Sequence, residues 1–274
     1  MSELYTPALL VSYVFVKEFL KHRNVGSYRR WVLDSGAYSA LTSGVKIELS
    51  KFIDDSAKLL QTDHTLHRVF ALDVIGDPEA TARNAEEMNR QGIPAVPTFH
   101  YGSPLHYLKH LAKTYDRLAL GGLAQRGSGG HGTKLMLSQR MKFINDCLKI
   151  SGPRWVHAFG CADARLVMKF PLSSVDASTW AYSIGRYGMV PGLKVSIGKK
   201  ANNKAIKQNA LFCAIDHYGK TETKHRGIWG NVQRKVGVDQ LDICLACGSA
   251  ADIKMINAFH QRQHENNSST FGRA

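Results

Sequence analysis

The sequence predicts an α/β fold, and three observations carry the prediction. Short β-rich runs alternate along the chain with longer amphipathic ones, which is the pattern of a parallel sheet with crossover helices. No repeat of solenoid period is visible, and 274 residues at 44% hydrophobic content suit one large core. Six of the strand-like runs also carry acidic, histidine, aromatic or glycine residues at or near their C-terminal ends. Together these predict a TIM-type (β/α)8 barrel over residues 1–198, followed by a basic C-terminal extension, 199–274, packed on the barrel or completing it.

Each element rests on local composition. The strand candidates are rich in aliphatic, β-branched and aromatic residues: 9–14 (LLVSYV), 31–34 (WVLD), 68–74 (RVFALDV), 94–99 (PAVPTF), 117–121 (RLALG), 155–159 (WVHAF), 173–176 (SSVD) and 192–197 (GLKVSI). Helix-like segments lie between several of them, at 49–61, 78–91, 104–114, 134–150 and 162–169. The second helix carries its own start signal, Asp77 as N-cap with Pro78 at the first helical position. From about Lys199 the chain turns lysine-rich and polar, and 199–235 is a candidate surface for gripping phosphates. An apolar run, LDICLACG, then reads as a buried strand and is followed by a closing helix-like ADIKMINAFHQRQHEN.

Near the C-terminal ends of the predicted strands stand Asp34, Asp73, His100, Gly121 with Gly122, Phe159 and Asp176. In a β/α barrel that edge assembles the active site from separate loops, while the opposite edge mostly carries stability. Any one aspartate after a strand is commonly a turn or capping residue. Six such positions on one rim point to a site.

Lys and Arg outnumber Asp and Glu by 36 to 22, a net charge of +14 that favours a polyanionic partner, nucleic acid first. The opening residues, MSELYTPALLVSYVF, lack a basic leader and hold no apolar run near the ~20 residues of a membrane span, so a soluble, cytoplasmic protein without membrane contact is expected. Five scattered cysteines, Cys147, Cys161, Cys213, Cys244 and Cys247, make no secreted disulfide framework and fit a reducing compartment.

Four short motifs, in order, resemble the tRNA-guanine transglycosylase superfamily, and more closely its shorter phage and bacterial branch that inserts 7-deazaguanines into DNA. Asp34-Ser35-Gly36-Ala37-Tyr38-Ser39 is similar to the family's Asp-Ser-Gly-Gly-Phe-Gln stretch, with the aromatic kept and the second glycine and glutamine replaced. Asp73 in ALDVIGDP resembles the aspartate that reads the base edge, Gly121-Gly122-Leu123-Ala124 the Gly-Gly-Leu-Ala segment, and Asp176 in SSVDAST the nucleophilic aspartate. The likeness spans roughly residues 30–190.

What the resemblance implies is chemically coherent. Exchange of a base at an anomeric carbon passes through an oxocarbenium-like centre that a carboxylate traps as a glycosyl-enzyme, the role implied for Asp176. A second carboxylate must protonate the outgoing guanine and deprotonate the incoming base, the role implied for Asp34. Asp73 matches the N–H donors of guanine as an acceptor, and backbone N–H groups at Gly121, Gly122 and Leu123 are candidates for its carbonyl and ring substituent. Tyr38 and Phe159 are candidate stacking faces, with core packing as the other reading of either ring. His100 stands where the family carries a glutamine and is a further candidate base contact; Arg186 is a candidate phosphate ligand. The implied partners are DNA, with transfer RNA as the alternative, and a free 7-deazaguanine base; a homodimer stays open.

The transfer-RNA enzymes carry a structural zinc on three cysteines and a histidine, a pattern from which this sequence departs. It offers Cys213, His217, Cys244 and Cys247 as zinc candidates, with His260 and His264 as substitutes, while the cysteines of LDICLACG read equally as buried strand residues. Two further readings stay beside base exchange: a non-catalytic nucleic-acid-binding barrel subunit, and a barrel hydrolase that uses two carboxylates and water.

Overall fold

A computed structural model describes residues 4–123, 135–181, 184, 189–190, 195–196 and 203–271. Its centre is a curled sheet of eight strands, all parallel, with helices packed against it, a TIM-like α/β arrangement. Seven of these strands come in chain order: β1 (Ala8–Ser12), β2 (Arg30–Asp34), β3 (Leu66–Val69), β4 (Thr98–His100), β5 (Arg117–Gly121), β6 (Trp155–Ala158) and β7 (Ser174–Ala177). The eighth is β10 (Asp242–Cys247), which lies between β1 and β7, so that the order across the sheet is β3-β2-β1-β10-β7-β6-β5-β4. The two outermost strands meet at one point, a parallel bridge between Phe70 and Val96, carried by Val96 N–H to Val69 O and Ala71 N–H to Val96 O, both 2.9 Å.

The helices among the described residues include α1 (Val16–His22), α2 (Ala37–Ser43), α3 (Leu49–Thr62), α4 (Pro78–Arg90), α5 (Leu105–Thr114), α6 (Leu137–Ser151), α7 (Ala164–Val167), α8 (Lys204–Arg234) and α9 (Ala250–Phe271). Helix α4 begins where expected because the Asp77 carboxylate accepts from Ala80 N–H at 2.8 Å, with Pro78 in the first turn. Among the described residues no helix is long and apolar enough to cross a membrane.

Three expectations are corrected. Of the strand expected over 192–197, the described residues, β9 (Val195–Ser196), pair antiparallel with β8 (Met189–Val190) in a separate ribbon and not in the main sheet; the others lie outside the described residues. The strand expected over 68–74 is regular only to Val69 and keeps single sheet bonds at Phe70 and Ala71; from Leu72 side chains of α4 satisfy the backbone instead, Asn84 donating to Leu72 O at 2.9 Å and Thr81 Oγ1 accepting from Val74 N–H at 2.9 Å. The run 94–99 starts late for a related reason. Pro94 and Pro97 have no N–H for a ladder, and regular pairing begins at Thr98.

The basic segment after residue 199 is more than a charged surface. Helix α8 buries Leu211, Ile215, Tyr218 and His225, and docks on the segment before β7 through His225 Nε2 to Phe170 O (3.0 Å), Trp229 Nε1 to Met168 O (3.0 Å) and Gln233 Nε2 to Leu172 O (2.9 Å). Two buried clusters divide the core. The larger lies between sheet and helices and includes Leu9, Trp31, Leu33, Val156 and Cys247; the smaller, on the inner face of the curl, gathers Ala8, Leu10, Val32, Phe70, Val96, Ala119, Trp155 and Cys244. Strand alternation sorts these residues, since successive side chains point to opposite faces.

Candidate active site

Past the C-terminal ends of the strands, or within their last two residues, stand three carboxylates, Asp34, Asp73 and Asp176. Asp34 ends β2, two residues after Val32, and the chain must then turn at once into α2. Gly36 makes that turn with φ +78°, and its N–H points back to Asp34 Oδ2 at 3.1 Å. Only glycine fits: a β-carbon at 36 would stand 2.9 Å from Ser12 Oγ. Burial, and then the neighbouring charge of Asp73, push the Asp34 carboxyl up from its ordinary 3.8 to about 7, with Asp176 adding to the shift and N–H donors from Gly36 and Ser35 opposing it. Asp34 is therefore poised to exchange a proton near neutral pH.

Asp73 is held on both oxygens. Ser35 Oγ donates to Oδ1 at 2.5 Å, and His100 Nε2 lies 2.9 Å from Oδ2. The carboxylate expected as an open acceptor for a base edge is thus engaged by its own neighbours, and it acts on Asp34 through its charge. His100 owes its position to Gly121, where a β-carbon would lie 2.6 Å from His100 Cδ2. Gly122, at φ +74°, admits the backbone of Tyr101, whose N–H donates to Gly121 O at 3.0 Å. The pair of glycines is accounted for by these contacts before any ligand is considered. Leu123 is fully buried in the outer core, and its carbonyl accepts from Arg140 Nη1 at 3.3 Å; Ala124 lies outside the described residues.

Asp176, near the end of β7, is 9% exposed and accepts from Gly160 N–H at 2.6 Å through Oδ1. The same oxygen lies 3.4 Å from Nε2 of His157, a fully buried ring on the inner face whose Nδ1 is 3.0 Å from Ser174 Oγ. That 3.4 Å approach is within ion-pair range, yet Nε2 makes no hydrogen bond. Phe159 is half-buried above it, packed on Phe70 (ring centroids 4.8 Å apart) and His157 (4.4 Å). Tyr38, in the first turn of α2, is 56% exposed and belongs to a fringe of exposed apolar side chains on the loops after β2, β3 and β4 that includes Leu41, Ile75 and Tyr101.

The site so assembled joins Asp34, Asp73, His100, Gly121 and Asp176 of the expected residues, and adds Ser35, His157 and Gly160. His157 had a signal in the sequence: in WVHAF it shares strand parity with Trp155 and Phe159, which places all three on one face. Arg186 lies outside the described residues.

The candidate zinc ligands do not converge. Cys244 packs in the inner cluster and Cys247 in the outer one, because three residues along a strand reverse the face, so the Cys-x-x-Cys spacing that chelates in a turn splits here. Burial also pushes both thiols upward, away from the thiolate form a metal needs. Cys213 is exposed on α8. His260 and His264 approach each other to 3.0 Å on α9, and among the described residues no group of three His, Cys, Asp or Glu is placed to hold a metal ion.

No family model matches the chain, and no curated protein matches it.

Proposed function

We propose that this chain is a base-exchange transglycosylase, a TIM-type barrel enzyme that replaces guanine in DNA with a 7-deazaguanine through a covalent aspartyl-glycosyl intermediate. The observation that carries the reading is the pairing of Asp34, with its carboxyl pushed up to about 7, and Asp176, a second carboxylate near enough to influence it and anchored by Gly160 N–H. Two carboxyl groups in environments that separate their roles are what a double displacement at an anomeric carbon requires.

In the first half-reaction an Asp176 oxygen attacks C1′ of the target nucleotide, the C1′–N9 bond breaks, and the departing guanine takes the proton of Asp34. In the second, Asp34 removes the N9 proton of the incoming base, N9 attacks C1′, and the ester to Asp176 breaks to restore both carboxyl groups. The exposed rings of Tyr38 and Tyr101 suit stacking on a flat base, and the net charge of +14 suits a phosphate backbone. DNA as the polymer, and cytoplasmic DNA modification as the setting, rest on the resemblance to the shorter branch of the superfamily.

The test is exchange of labelled guanine into polymer, with DNA and transfer RNA offered separately. Label retained in DNA, lost with Asp176→Ala while the fold stays intact, is the expected result. Label in transfer RNA instead would reassign the substrate. Release of base without incorporation would identify a hydrolase, and no reaction with either polymer would leave a binding protein.

A further inference from the structure

The opposite ends of the same strands carry the opposite charge. Arg30, Arg68, Arg117 and Asp242 each precede by two residues an inner-face position, Val32, Phe70, Ala119 and Cys244, so alternation turns all four inward, three of them from the first residues of β2, β5 and β10 and Arg68 from within the short β3. The charges do not balance. Asp242 is the carboxylate of the group, and both its oxygens are already engaged: Arg30 donates through Nε to Oδ2 at 2.8 Å and through Nη2 to Oδ1 at 2.9 Å, and Arg29 Nη2 reaches Oδ1 at 2.8 Å.

Arg68 and Arg117 have no carboxylate partner among the described residues. The Arg68 guanidinium lies over the buried Trp155 ring, 5.6 Å from its centroid; Nη1 finds only the His67 carbonyl at 3.3 Å, and Nε is shut from solvent with no hydrogen-bond partner at all. Burial and the nearby Arg117 and Arg30 push Arg68 down to about 10, and burial with Arg68 and Arg30 pushes His67 down to about 4. The half-buried guanidinium groups repel one another, and an anion between them would offset that repulsion.

We propose that this N-terminal mouth is a binding site for one tetrahedral oxyanion of the phosphate or sulfate class, held by Arg68 and Arg117 with Arg30 at its edge. Planar guanidinium groups present paired N–H donors that match such an oxyanion, and Trp155 holds one of them from behind. The site is separate from the carboxylate rim and does not depend on the reaction assigned there.

The experiment follows thermal unfolding and calorimetric binding of the full chain in inorganic phosphate, with chloride at matched ionic strength as the reference. The melting temperature of the wild type should rise saturably with phosphate, and Arg68→Gln or Arg117→Gln should each weaken the affinity by roughly ten- to a hundredfold, the loss of a charge-assisted contact. Without phosphate, Arg117→Gln should melt no lower than wild type, because it removes repulsion; this arm also shows that the variant folds. Arg154→Gln, on the outer layer between α5 and α6, should bind phosphate as wild type does. A 5′-mononucleotide arm separates sources: weaker binding than phosphate means a free oxyanion, and equal or tighter binding means a phosphoryl group on a larger ligand. A wild type that responds to phosphate no more than to chloride, or variants that keep the full response, would overturn the proposal.

Discussion

Replacing Asp34 by Asn should flatten the pH dependence of folding stability between pH 5 and pH 8. In the folded chain the Asp34 carboxyl keeps its proton up to about pH 7, whereas in the unfolded chain it ionises near its ordinary 3.8. A raised value in the folded state means that the contribution is fully present below the unfolded value and is lost as pH climbs toward the folded one. Between pH 5 and pH 8 that loss comes to about 3 kcal/mol at 1.36 kcal/mol per pH unit, an order-of-magnitude figure because Asp34 interacts with Asp73 and Asp176. Asn keeps the shape and cannot ionise. Urea unfolding of both proteins at pH 5, 6, 7 and 8 isolates the term as the difference between their slopes, so that other groups titrating in the same window, Glu222 among them, cancel. Parallel slopes for the two proteins would refute the argument, since they would mean that Asp34 ionises alike in both states.

Other substitutions probe the scaffold that holds the site. Gly121→Ala places a methyl group 2.6 Å from the His100 ring and should push His100 away from Asp73, at a cost of about 1–3 kcal/mol in chemical unfolding; unchanged stability would show that the ring has room to move. Arg29→Met strips a shared partner from the buried carboxylates Glu222 and Asp242, and should cost about 3–5 kcal/mol at pH 8; a loss below about 1 kcal/mol would mean that Arg30 on Asp242 and the Ile243 N–H on Glu222 suffice without it. Asp176→Ala should fold normally and lose base exchange, and exchange at the wild-type rate would exclude Asp176 as nucleophile.

Local patterning made much of this fold readable. Strand β5 is bounded as its composition indicates, helix α4 starts at its Asp77-Pro78 signal, and alternation within strands brings Asp34, Gly121 and Asp176 to one rim. What stayed hidden was non-local. Residues 195–196 look as strand-like as 242–247, and only pairing with β1 and β7, both more than 60 residues earlier in the chain than β10, decides which of them enters the sheet. The engagement of Asp73 by Ser35 and His100 likewise depends on three strand ends meeting. The cysteine spacing was open for a different reason: the same two residues converge in a turn and diverge in a strand, and the spacing does not say which is present.

The place of β10 beside β1 has a consequence for synthesis. Leu9 pairs with Leu245, so β1 waits for a partner made more than 200 residues later. Until residues 242–247 emerge, β1 and β7 each present an unpaired row of amide and carbonyl groups, and neither can be covered by any strand already made. Nascent chains stalled short of that point are thus expected to be sticky and to need chaperone cover, and the sheet to be completed by a single late insertion between two waiting edges.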